Sequence, residues 1–210
     1  MAKSEVVQGF CGQKFTMKTI LSYAGRLLYF LMGWRLEPLP PYVSNKHVII
    51  GFPHTSNIDT VRAFTGFRII KRTGHIMIKK EAFFWPMSIL LNSLGGIPVD
   101  RKAPQGAVEQ MVDVFNSRDE FLLAIVPEGT RKKIRTIKTG FWHIARGAGV
   151  SIICWYMDNE HKTARWLGEI VPGEDKMADL VRIRDLYEEA GYRFPLEAAD
   201  SQQGEAASLQ

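Results

Sequence analysis

The sequence has 210 residues, 46% of them apolar and 23% charged, and a net charge of +5. Those fractions exclude wholesale disorder and a polytopic membrane protein, and the length is that of one domain with a sizeable core. Two cysteines, Cys11 and Cys154, are too few for a disulfide framework or a zinc cluster and favour a reducing compartment, while the positive balance favours an anionic partner.

In chain order the first predicted element is a helix. Ile20, Leu21, Ala24, Leu27, Leu28, Leu31 and Met32 recur at helical spacing, flanked by Lys18, Tyr23, Arg26, Tyr29 and Trp34. The clean apolar run between Arg26 and Arg35 falls far short of the roughly 20 residues a spanning helix requires. No apolar stretch ending in a small-residue cleavage site opens the chain, so export is not expected. Residues 1–40 read as an amphipathic membrane-associating segment, peripheral or monotopic at the cytoplasmic face. A helix docked on its own core would carry the same stripe.

Beyond the Pro38-Leu39-Pro40-Pro41 break, His47 to Phe52 reads as a buried strand and Ile58 to Arg72 as a helix, with a loop at Pro53 to Asn57. The pattern continues with a strand near His75 to Lys79, a helix over Glu81 to Asn92, and an extended piece at Ile97 to Val99. Pro104 then opens a helix running to Ser117. Phe121 to Val126 is the most apolar short run and reads as a central strand. A helix over Thr139 to Arg146, strands at Val150 to Met157 and Thr163 to Val171, and a helix over Asp175 to Glu189 follow. Strands alternating with helices predict an α/β layered fold, a largely parallel sheet flanked by helices, over residues 41–195. The Ser-, Gln- and Ala-rich residues 196–210 read as a disordered tail.

Three constellations carry candidate chemistry. His54 and Asp59 stand where the first long strand gives way to a helix. If Ser56 or Asn57 caps that helix, the Asp59 carboxylate falls in its first turn and can reach back to one imidazole nitrogen, leaving the other to accept a proton. That is the arrangement of a general base, although loop and capping roles would give the same spacing. Pro127-Glu128-Gly129-Thr130-Arg131 follows the central strand, at the end where open α/β sheets bind ligands. Arg131 is succeeded by Lys132, Lys133, Arg135 and Lys138, a density suited to phosphate or carboxylate, or to a solvated basic loop. Gly95-Gly96-Ile97-Pro98-Val99-Asp100-Arg101 offers glycines for close approach to a ligand and a guanidinium for a phosphate; a plain turn is the alternative. Phe83, Phe84, Trp85, Met87, Ile89, Leu90 and Leu91 are candidates for core or for the wall of an acyl-chain tunnel.

Taken in order, the H-x4-D block at His54 and Asp59, the G-G-I-P-V-D-R block ending at Arg101 and the P-E-G-T-R block ending at Arg131 resemble the glycerolipid acyltransferase family. The short bacterial 1-acylglycerol-3-phosphate acyltransferases typify it, and the resemblance spans residues Lys46 to Met157. It implies direct attack of an acceptor hydroxyl on an acyl thioester, without an acyl-enzyme, with His54 as base and Asp59 as its orienting partner. Arg101, Glu128, Gly129, Thr130 and Arg131 would hold the anionic head of a lysolipid such as 1-acylglycerol-3-phosphate. The donor would be an acyl-carrier-protein or coenzyme A thioester, and no metal or other cofactor is implied.

Other classes are weighed against this. A serine hydrolase would need a G-x-S-x-G elbow, which the chain lacks, and no helix-turn-helix, zinc-finger or RNP signature accompanies the basic residues, so nucleic acid is not an expected partner. A catalytically silent lipid-binding protein would have no need of His54 and Asp59 together. Acylation of a different lysolipid, for example an aminolipid, would use the same machinery.

Overall fold

Runs of apolar residues buried on both sides build the middle of a mixed sheet. The computed structural model describes residues 17–52, 57–100, 106–127, 136–194 and 197–198. The elements are α1 (Met17–Leu31), β1 (Arg35–Leu36), β2 (Lys46–Phe52), α2 (Asn57–Ile69), β3 (Gly74–Lys79), a 3-10 turn (Lys80–Ala82), α3 (Met87–Ser93) and β4 (Gly96–Val99). They continue with α4 (Ala107–Asn116), β5 (Phe121–Ile125), β6 (Thr136–Ile137), α5 (Gly140–Ala148), β7 (Ser151–Asp158), β8 (Thr163–Ile170), α6 (Lys176–Glu189) and β9 (Glu197–Ala198). The seven-stranded sheet has the order β1-β8-β7-β2-β5-β3-β4, and β6 and β9 pair separately. β7, β2, β5, β3 and β4 run parallel, while β8 returns antiparallel to β7. The α/β expectation holds, with its largely parallel sheet.

Connectivity sorts the helices into two layers. The β2-α2-β3 and β3-α3-β4 crossovers step one way across the sheet, whereas β4-α4-β5 and β5-α5-β7 step the other way. Right-handed crossovers therefore place α2 and α3 on one face and α4 and α5 on the opposite face. α1 packs on α2, and α6 completes the α4–α5 layer. Alternation along the strands feeds both layers: Val48, Ile50 and Phe52 of β2 enter the core under α4–α6, and Ile49 enters the core under α1–α2. Phe121 and Leu123 divide from Leu122 in the same way on β5, and Ile152 and Cys154 from Ile153 and Trp155 on β7.

Two expectations are corrected, and a third feature is decided between the alternatives that the spacing left open. The helix expected over Glu81 to Asn92 is a 3-10 turn and then α3, because Pro86 lacks an N–H and disfavours helical backbone at Trp85. The helix after β4 begins at Ala107, following Gly106; Pro104 lies outside the described residues. The apolar stripe of α1 faces outward. Its packed side is Ser22, Gly25 and Tyr29, with the Ser22 hydroxyl donating to Ile69 O (2.8 Å) and the Tyr29 hydroxyl to Arg62 O (2.8 Å). Gly25 allows the close crossing, since a Cβ there would stand 3.0 Å from Ile69 Cγ1. No helix among the described residues is long and apolar enough to cross a membrane. Residues 1–16 of the expected membrane segment and residues 199–210 of the expected tail lie outside the described residues.

Candidate active site

Parallel strands bring their carboxyl ends to one edge. Ile50 pairs with Ile125 between β2 and β5, Gly74 and His75 pair with Leu122 and Leu123 between β3 and β5, and Lys79 pairs with Val99 between β3 and β4. β2, β5 and β4, parallel within one sheet, therefore end on the same edge, at Phe52, Ile125 and Val99. The segments holding His54 (53–56), Arg101 (101–105) and Glu128, Gly129, Thr130 and Arg131 (128–135) each begin within three residues of those strand ends. Those six residues themselves lie outside the described residues.

Asp59 is described, in the first turn of α2 directly above the end of β2. Its residue is 3% exposed, and Oδ1 accepts from Arg62 Nη1 at 2.9 Å. A carboxylate so far from water requires such a partner, because an unpaired buried charge is costly. Arg62 is braced in turn. Its guanidinium lies 4.3 Å from the Trp34 ring centroid and donates to Asn159 Oδ1 at 3.2 Å, tying α2 to the end of α1 and to the β7–β8 turn. Sequence reasoning passed over Arg62, although its place three residues after Asp59 on a helix was a usable signal.

The β4 exit is fixed by a clamp that spacing could not reveal. Gln110 of α4 donates through Nε2 to Asp100 O (2.8 Å) and accepts through Oε1 from Asp100 N (3.1 Å), and Lys80 Nζ lies 3.7 Å from Asp100 Oδ2. The residue preceding Arg101 is thereby held at both backbone groups. The glycines of this block serve the fold: Gly95 adopts φ +80°, and a side chain there would collide with Gly74 O. Close approach to a ligand is not needed to explain them.

A described histidine–carboxylate pair stands at the carboxyl end of β7. His161 donates through its backbone N to Asp158 Oδ1 (2.9 Å), and its Nδ1 lies 2.8 Å from Asp158 Oδ2. Burial would raise the Asp158 pKa, but the hydrogen bonds from His161 hold it below its ordinary value. Both bonds close one turn, so this pair braces the β7–β8 connection that carries Asn159. Cys154 is fully buried, and burial pushes its thiol far up, which removes it as a nucleophile. The candidate tunnel residues on and before α3 do not fill the core: Phe84 is 59% exposed, Trp85 81% and Ile89 65%, while Phe83 and Leu91 are half-buried. Among the described residues no cluster of His, Cys, Asp and Glu could hold a metal ion.

Comparison with known proteins agrees with this fold. A family model described as Acyltransferase matches residues 35–158, a span that contains all three motif blocks. The fold is similar to the crystal structure of PlsC, the 1-acyl-sn-glycerophosphate (LPA) acyltransferase from Thermotoga maritima. The TM-score is 0.55 and the identity 16%, over 84% of this chain and 80% of that one. No curated protein matches the sequence.

Proposed function

The chain belongs to the acyltransferase family, and from that premise we propose that it acylates the hydroxyl of a lysophospholipid such as 1-acylglycerol-3-phosphate, in phospholipid synthesis at a membrane surface. The acceptor oxygen attacks the thioester carbonyl of an acyl-carrier-protein or coenzyme A donor. The ester C–O bond forms, the C–S bond breaks, and the hydroxyl proton taken by His54 passes to the leaving thiolate, regenerating neutral His54 and a free thiol. Asp59 orients the imidazole and steadies its charged form. Arg101 and the Glu128-Gly129-Thr130-Arg131 segment hold the anionic head of the acceptor.

The observation that carries this reading is the placement of β2, β4 and β5: the three motif-bearing segments follow the carboxyl ends of parallel strands in one sheet, and the buried carboxylate of Asp59 stands in the first turn of the helix after β2. The outward apolar face of α1 supports interfacial binding, with Ile20, Leu27, Phe30 and Leu31 all exposed and Lys18 and Arg26 among them. The reading is tested by acyl transfer from labelled acyl-carrier-protein and coenzyme A thioesters to a panel of lysolipids, aminolipids included. Ester product from a glycerophosphate acceptor supports it. Product confined to another lysolipid would reassign the acceptor, and no product from well-folded protein would leave a lipid-binding role.

A further inference from the structure

The two helix layers differ in what they show to solvent. Large apolar side chains are exposed along α1, at the start of α2 and along α3, whereas Met177 is the one large apolar residue of α4, α5 and α6 that is exposed. Orientation concentrates the first group. α2 and α3 both begin at the carboxyl edge of the sheet, and α1 runs antiparallel to α2, since Ser22 meets Ile69 and Tyr29 meets Arg62. Phe30 and Leu31 at the end of α1, Ile58 and Val61 at the start of α2, and Phe84 and Trp85 just before α3 therefore gather at that edge, each at least 52% exposed.

Charge follows the same division. Residues 57–94 contain six Lys or Arg against two carboxylates, Asp59 and Glu81, and α1 adds Lys18 and Arg26 with no acidic residue. On the other side α4 carries Glu109 and Asp113 with no Lys or Arg, and α6 has four carboxylates against three cations. Lys18, Arg68, Lys71 and Arg72 line one small cleft between the start of α1 and the end of α2, and Arg68 reaches Ser93 O on α3 at 3.4 Å. Cations thus sit at the seam between the two apolar helices, as an anionic headgroup layer beneath inserted side chains requires.

We infer that the segment from Phe84 to Leu94 is a second lipid-inserting element, so that the protein lies on an anionic bilayer along its whole α1–α2–α3 layer with Trp85 embedded. This rests on the membrane-surface reading above and extends it beyond the N-terminal segment. An apolar helix exposed to this degree on a monomer marks an interaction surface, and the accompanying charge selects anionic lipid as its occupant.

Trp85 supplies its own reporter, because Trp34, Trp142, Trp155 and Trp166 are all buried, none above 9% exposure. The full chain is bound to vesicles of phosphatidylcholine and phosphatidylglycerol with brominated acyl chains. Wild-type tryptophan emission should shift to the blue and be quenched relative to unbrominated vesicles, and Trp85→Phe should show neither change while remaining bound. The pair Ile89→Glu and Leu90→Glu, at exposed positions that folding does not need, should weaken vesicle binding by about tenfold or more. Met177→Glu on the opposite layer should leave binding unchanged. Absence of vesicle binding, absence of quenching in bound wild type, quenching that persists in Trp85→Phe, or equal weakening by Met177→Glu would each overturn the inference. The readout is independent of turnover: quenching without acyl transfer would remove the enzymatic reading alone, and turnover without quenching would remove the lipid face alone.

Discussion

The two ends of the parallel sheet handle ionisable groups in opposite ways. At the amino end two histidines are absorbed by the fold: His47 is buried and accepts from Ser44 N at 2.7 Å, and His75 packs on the Phe121 ring and accepts from Arg118 at 3.3 Å. Arg72 there reaches Asn45 and Glu120, and Lys46 donates to Phe115 O. At the carboxyl end a nearly buried carboxylate, Asp59, stands in the first turn of α2, held by an arginine that Trp34 and Asn159 brace. The lesson is that the amino-end histidines serve packing, whereas the buried carboxylate at the carboxyl end stands beside the motif-bearing segments and is the group proposed to serve chemistry. Substitutions should separate the two: activity lost at one end, stability at the other.

The largest expected effect belongs to Asp59→Asn, which keeps the shape but removes the charge that steadies an imidazolium. Its kcat should fall by about 100-fold or more in steady-state assays. Arg62→Leu should lose both properties, about 2 kcal/mol in urea unfolding and most of the turnover, because it strips the buried Asp59 carboxylate of a partner. Unchanged activity in that variant would separate Arg62 from the site. Arg101→Ala should raise the KM for the acceptor by about tenfold with a smaller change in kcat, as expected for loss of uniform binding to an anionic head.

At the amino end the expected signature is pH-dependent stability. Burial, joined at His75 by the charge of Arg118, holds the pKa of His47 and His75 below the ordinary 6.5. The unfolded chain therefore binds protons that the folded chain refuses, and stability should decline as pH drops below about 6.5. His47→Gln should flatten that decline in thermal unfolding across this range while leaving turnover at neutral pH near wild type. The smallest effect is expected from His161→Ala. Turnover should change by less than about twofold, since removing an exposed turn brace rarely matters, and a large loss would make the Asp158–His161 pair a rival to His54.

Much of the architecture was legible because the strands of the sheet centre are short apolar runs flanked by turn residues: β2 and β5 fall within one residue of where His47 to Phe52 and Phe121 to Val126 indicate. The interruption at Pro86 was legible in principle and was overridden by the apolar density around it. β1, β6 and β9 have two residues each, too few for any period to show. The outward stripe of α1 could not be assigned from spacing, because periodicity marks an apolar face without saying what covers it. At the site, the order of the three blocks pointed to one edge of the sheet. The supports did not show, since Gln110 reaches Asp100 and Trp34 reaches Arg62 only through tertiary packing.

The central claim is tested most directly by comparing wild type with His54→Ala in acyl transfer from labelled thioester to lysophospholipid, with thermal unfolding recorded on the same preparations. The account predicts that transfer falls by about 100-fold or more while the unfolding midpoint stays within about 2 °C. Turnover that survives in folded His54→Ala would contradict the assignment of the base, and with it the reading of the carboxyl edge as the active site.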